Sequence, residues 1–216
     1  MIAKSTSLEG VWLLEPARWV DHRGAITQIW NKGDYIECRL RWGLPHPQWP
    51  ESHQWVQENV TLSAQNVLRG IHGYADIWRL CSCLYGEIYL AVVNCDELGA
   101  GFGQHEMFKL RCPSSEVATI AEHMVLVPPK FGIGFMTLSP HSVFSYRWSG
   151  YFENSKQFAY RYDDPRFGIR WPSLHEFNYT TKEDMIVKPI LSGRDRNAER
   201  LGAASLALPE IKARRG

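Results

Sequence analysis

The feature that most constrains this chain is its punctuation. From Val11 onward it runs as short apolar stretches, each cut off by turn residues. Val11-Trp12-Leu13-Leu14 stops before Pro16, and Ala25 to Trp30 follows the turn-like Asp21-His22-Arg23-Gly24. Further runs are Trp55–Leu62, Val67–Ile71, Leu80–Leu84 ending at Gly86, Glu87–Asn94, His105–Leu110, Met124–Val127, Gly134–Leu138, Ser142–Trp148 and Gln157–Arg161. Short runs with turn signals every 8–12 residues or so predict an all-β sandwich or barrel. The stretch from Trp42 to Trp55, rich in Pro and Trp, predicts an irregular loop or short helix. No amphipathic helix of three turns is predicted before residue 180. The 216 residues suit one domain large enough to bury its own core.

Composition excludes several function classes. The 24 basic and 23 acidic side chains nearly cancel, so the basic excess of a nucleic-acid binder or polybasic membrane protein is missing. There is no apolar run of spanning length, and Met1–Gly10 lacks a signal-peptide core, so the expectation is a soluble, cytoplasmic protein without membrane or nucleic-acid partners. The 5 cysteines are irregularly spaced, and Cys81 and Cys83 read as strand neighbours packed in a core. Scattered histidines, with none two residues from His72, predict no metal and no cofactor. Gly99-Ala100-Gly101-Phe102-Gly103 carries Gln104 where a dinucleotide fingerprint needs glycine, and reads as a plain loop.

Six blocks in order carry more information. They are Gln57-Glu58-Asn59, Val67-Leu68-Arg69-Gly70-Ile71-His72-Gly73, Tyr85-Gly86-Glu87-Ile88-Tyr89, Val127-Pro128-Pro129-Lys130-Phe131-Gly132, Phe144-Ser145-Tyr146-Arg147 and Asp163 to Pro172. The ordered set, spanning Val11 to Pro172, resembles the dTDP-4-dehydrorhamnose 3,5-epimerase (RmlC-like) family. Its phrasing is most similar to the branch acting on GDP-4-keto-heptoses in capsule polysaccharide synthesis. The resemblance implies an all-β, cupin-type jelly-roll barrel with short peripheral helices, no metal, and a homodimer built partly by strand exchange. It also implies a nucleotide-diphosphate 4-keto sugar as ligand, epimerised at C3, C5 or both through an enolate. Residues 1–190 are then the cupin domain, and 191–216 a basic, solvated C-terminal tail.

Four positions match the implied chemistry. His72 matches the base, Asp164 the carboxylate that orients it, and Tyr146 the acid on the opposite face of the sugar. Such a pairing suits a carbon acid beside a ketone, which needs a base, an acid and a stabilised enolate. Arg79 falls where the family carries a lysine near the enolate oxygen; it keeps the charge but cannot release a proton. Ile133 in place of a histidine, and Tyr74 in place of an aspartate of the heptose branch, are further departures. Arg23 and Arg69 match arginines that hold the diphosphate, Gln57 and Asn59 polar groups near the nucleotide, and Tyr151 an aromatic near the sugar or base. Each has a plainer reading: a buried histidine at a glycine bend, a turn aspartate in Asp163-Asp164-Pro165, a core tyrosine, a solvated arginine. A keto-isomerase and a nucleotide-sugar-binding protein without turnover are the alternatives.

Overall fold

A computed structural model describes residues 1–41, 55–112, 121–172 and 188–198. The described chain is nearly all strand: β1 Ile2–Ser5, β2 Trp12–Glu15, β3 Ala17–Asp21, β4 Gly24–Gln28, β5 Gln57–Ala64, β6 Leu68–Gly73, β7 Arg79–Asn94, β8 His105–Cys112, β9 Met124–Val127, β10 Phe131–Thr137, β11 His141–Trp148 and β12 Phe158–Ala159. Two short helices, α1 Lys32–Arg41 and α2 Gly193–Asn197, lie outside this framework.

Leu80–Leu84 and Glu87–Asn94 were expected as two strands; they form one bent strand, β7, that belongs to both sheets. Its first half pairs with β9 and β11, and its second half with β8 and β10. The bend falls at Gly86, where φ is +75° and a Cβ would sit 2.2 Å from the His141 carbonyl oxygen. Only glycine accepts both the left-handed backbone and that approach. A strand that changes sheets at a bend makes the corner of a barrel. One sheet contains β1, β2, β9, β7, β11 and β5, and the other contains β8, β7, β10, β6 and β12. All the pairings between named strands are antiparallel. This is the cupin-type jelly roll that the resemblance implies.

Alternation along the strands sorts residues between interior and exterior. Cys81, Cys83, Phe144, Phe135, Val125 and Leu90 meet inside the barrel. Burial pushes the Cys81 and Cys83 thiols up to about 12, so both pack as neutral, apolar groups. On the outer face Trp78, Leu80, Met124 and Leu126 pack against Leu14 and Tyr35. Helix α1, absent from the sequence expectation, starts at a recognisable cap: the Asn31 side chain accepts from the main-chain N–H of Gly33 and Asp34. No described helix is long and apolar enough to cross a membrane. The expected irregular stretch 42–54 and the chain from 199 lie outside the described residues.

The expected tail is corrected at its start. Ile190 bridges to Val67, accepts from the Leu68 N–H at 3.0 Å and donates to the Asn66 carbonyl at 2.8 Å. This pins the chain beside β6, and Arg161 holds the Arg196 carbonyl further on. The barrel unit therefore runs past residue 190 and includes α2.

Candidate active site

A cavity of about 520 Å³ opens between the two sheets. One wall is built by register. Gln57, Trp148 and Arg79 are directly opposed across β5, β11 and β7, and Asn59, Tyr146 and Cys81 form the next interior row. The other wall is β6 and β10, where His72 stands opposite Ile133. Gly70 sets how closely those strands approach: its φ is +114°, and a Cβ there would sit 2.4 Å from the Gly134 Cα.

Of the expected residues, His72, Arg79, Tyr146, Gln57, Asn59 and Arg69 all line this cavity. Asp164, Arg23 and Tyr151 do not, and each has a physical reason.

Asp164 is buried, but its carboxylate is turned onto its own neighbour. It accepts from the Arg166 main-chain N–H at 3.0 Å, from Nε at 3.1 Å and from Nη2 at 2.8 Å. The Arg166 guanidinium in turn lies over the rings of Tyr160, Phe102 and Phe167. Asp163-Asp164-Pro165-Arg166 is thus a turn clamped onto an aromatic cluster.

The carboxylate at His72 is Asp195. His72 Nε2 and Asp195 Oδ1 are 2.7 Å apart, with Asp195 only 3% exposed. Burial by itself would raise the Asp195 carboxyl. The hydrogen bond and charge of His72, the Ser192 hydroxyl and the Gly70 N–H outweigh it, and hold the group below its usual range. Ser192 works in both directions: its Oγ accepts from the Asp195 N–H at 3.1 Å and donates to Oδ2 at 2.8 Å. The sequence held a signal for this in Ser192-Gly193-Arg194-Asp195, the Ser-x-x-Asp pattern of a helix start. Nothing local pointed that helix at His72.

Arg79 is 2% exposed. Nη1 donates to the His72 carbonyl at 2.7 Å and Nη2 to that of Phe131. The guanidinium thereby ties β6 to β10 beside the histidine. Burial lowers its affinity for its proton below that of ordinary arginine. The Tyr146 hydroxyl has no hydrogen-bond partner among the described residues. Burial, then Cys81, push its ionisation up, while Arg69 and Arg79 pull it back only in part, so the phenol stays protonated at neutral pH.

Polar groups gather at the cavity mouth. Gln57 Nε2 donates to Asn59 Oδ1 at 3.2 Å, and Gln57 Oε1 accepts from the Phe152 N–H at 2.9 Å. Arg69 and Arg194 are exposed there, without a carboxylate partner among the described residues. Phe152 joins the aromatics that line the cavity; its neighbour Tyr151 lines a separate groove. Arg23 sits at the tip of the β3–β4 hairpin, 76% exposed and bound to Asp21 at 2.6 Å, away from the cavity of its own chain. Asp195, Ser192, Arg194, Phe152 and Trp148 are among the lining residues not assigned to the site from sequence.

The arrangement can hold a proton acceptor and a neutral proton donor on two walls of one cavity, with a buried cation between them. Residues 5–203 match the family described as dTDP-4-dehydrorhamnose 3,5-epimerase. A Salmonella typhimurium protein of that name is 28% identical over 80% of this chain and 86% of its own length. A dTDP-4-dehydro-6-deoxyglucose 3-epimerase from Streptomyces bikiniensis is 29% identical over 92% of this chain and 88% of its own. The crystal structure of dTDP-4-dehydrorhamnose 3,5-epimerase from Bacillus anthracis, with TDP and pyrophosphate bound, superposes with a TM-score of 0.73 at 27% identity, over 92% of this chain and 98% of that one. The fold, the cavity and these likenesses agree: the chain belongs to the dTDP-4-dehydrorhamnose 3,5-epimerase family, and is an isomerase of the epimerase type.

Proposed function

We propose that this protein epimerises a dTDP-linked 4-keto-6-deoxy sugar at C3, C5 or both, using His72 as base and Tyr146 as acid. The observation that supports this most is the 2.7 Å contact between His72 and the buried Asp195 in a cavity that Tyr146 lines from the other sheet.

A carbon beside a ketone gives up its proton only if a base is in place and the charge left behind is stabilised. With Nε2 held by Asp195, the ring has one nitrogen left for substrate, and the ionised carboxylate stabilises the imidazolium that forms. His72 takes the proton, the C–H electron pair becomes the C=C bond of the enolate, and negative charge moves to the C4 oxygen. The Arg79 cation lies beside the base to receive that charge. The Tyr146 hydroxyl then delivers a proton to the carbon from the other face. Its raised ionisation keeps that proton available across the neutral range.

Arg69 and Arg194 at the mouth suit the two phosphates, since guanidinium groups bind phosphate oxygens in pairs. Phe152 suits the flat or apolar part of the ligand. A homodimer belongs to this reading. Edge strand β5 exposes Val60 and Leu62, and the β3–β4 hairpin exposes Trp19, Val20 and Ile26. Arg23 would then meet a diphosphate only in the cavity of a second copy.

The test is proton NMR of dTDP-4-keto-6-deoxyglucose with the protein in D2O. Loss of the C3 or C5 signal, abolished in His72→Ala, is the expected result and identifies which carbon reacts. Tight binding of dTDP without exchange at either carbon would contradict the assignment and favour a binding protein.

A further inference from the structure

Two buried hydrogen-bond donors that the fold leaves unsatisfied at the cavity belong to residues that stand side by side. Trp148 of β11 is directly opposite Arg79 of β7. Directly opposed residues present their side chains on one face, with Cβ atoms about 5 Å apart. Both line the cavity, at 5% and 2% exposure. Arg79 Nε and Trp148 Nε1 are each buried without an acceptor among the described residues. The other Arg79 nitrogens are committed to the His72 and Phe131 carbonyls, and no described carboxylate balances its charge.

A buried donor left unpaired costs about 1–3 kcal/mol, and a buried cation without a counter-charge costs more. The Trp148 ring is explained by packing: it lies 5.4 Å from Tyr74, 5.5 Å from Tyr146 and 6.0 Å from Phe152, centroid to centroid. Packing does not explain its N–H. A phenylalanine would keep an aromatic ring at this position and bury no donor.

We propose that Trp148 is a specificity and catalytic residue, its indole N–H acting together with Arg79 Nε–H to grip the C4 oxygen of the 4-keto sugar. The inference rests on the epimerase reading and deepens it. As His72 removes the proton, the C4 oxygen gains the charge that these two donors are built to hold. Indole N–H is far too weak an acid to give its proton away, so Trp148 holds the enolate without quenching it. Arginine in turn supplies a fixed charge that cannot protonate the oxygen. Donors buried before the ligand arrives need no reorganisation at the moment of reaction, which is where such groups gain their strength.

The experiment compares Trp148→Phe with the parent protein by deuterium exchange into dTDP-4-keto-6-deoxyglucose, alongside calorimetric binding of dTDP. The expected result is a kcat for exchange lower by about 10²-fold, with dTDP affinity and KM within about threefold. An unchanged kcat, or a loss of dTDP affinity equal to the loss of rate, would overturn the assignment and leave Trp148 as packing. Absence of exchange in the parent protein would instead overturn the epimerase reading beneath it. Should Trp148→Phe not fold, a crystal structure of the parent with the bound 4-keto sugar decides: Nε1 about 3 Å from the C4 oxygen supports the assignment, and Nε1 on no ligand atom overturns it.

Discussion

Two buried aspartates divide this molecule into a part that is held and a part that reacts. Asp164 and Asp195 are each 3% exposed, the first in a tight turn and the second in the first turn of α2, and each has its carboxylate on a basic side chain. Asp164 faces Arg166, which is charged at any working pH and stacked on three aromatic rings. Asp195 faces His72, whose side chain is a quarter exposed to the cavity. The difference lies in the partner. A carboxylate on an arginine makes a clamp, whereas one on a histidine makes a base whose proton can come and go.

The comparison is broken most forcefully by removing each charge in turn. Asp195→Asn is expected to slow exchange by about 10²–10⁴-fold, because the imidazolium loses its counter-charge and the ring its orientation. Asp164→Asn is expected to cost about 2 kcal/mol in urea unfolding, since part of the Arg166 fork loses a charged acceptor, with the rate per folded molecule within about twofold. Tyr146→Phe sharpens the picture from the other wall. Inversion should fall by about 10²-fold or more, while deuterium still enters from the His72 face with retention, a split that product NMR reads directly.

Smaller effects follow at the mouth. Phe152→Ala is expected to weaken dTDP-sugar binding roughly 2- to 13-fold, the value of one aromatic contact, and Tyr151→Ala less than twofold. Titration calorimetry separates them. The smallest effect is on stability against pH. The Asp195 carboxyl is held below its ordinary 3.8 in the folded chain, so its stabilisation is complete above that value and is lost as pH falls through the lower folded one. The gap in urea midpoint between parent and Asp195→Asn should therefore close as pH falls from about 4 through the lower folded value. A gap that widens over that acid range would reverse the sign.

What was legible in the sequence follows the same division. Strand alternation is readable wherever one face meets the core, and period two puts Phe144, Tyr146 and Trp148 on one face of β11. Gln57, Asn59, Arg69 and His72 then reached the cavity through strands that pair by their apolar pattern. Gly86 was readable as a break but not as a bend, because a left-handed glycine ends one strand or redirects it according to what packs around it. Beyond Trp148 the strand stops and alternation no longer tells facing; the resemblance points to Tyr151, and Phe152 is the residue that lines the cavity. Asp164 drew attention through the resemblance, while turn chemistry, a local signal, carried its plainer reading. Asp195 reaches His72 on a segment pinned by the Ile190 bridge to Val67 and by Arg161, long-range pairings that no local pattern announces. Its helix start was readable; its destination was not.

The most direct test places Asp195→Asn and Asp164→Asn side by side, measuring single-turnover deuterium incorporation at C3 and C5 of dTDP-4-keto-6-deoxyglucose by enzyme confirmed folded. Near-parental incorporation in Asp164→Asn, with incorporation almost abolished in Asp195→Asn, is the expected result. The reverse order, or equal loss in both, would contradict the assignment of Asp195 as the partner of the catalytic base.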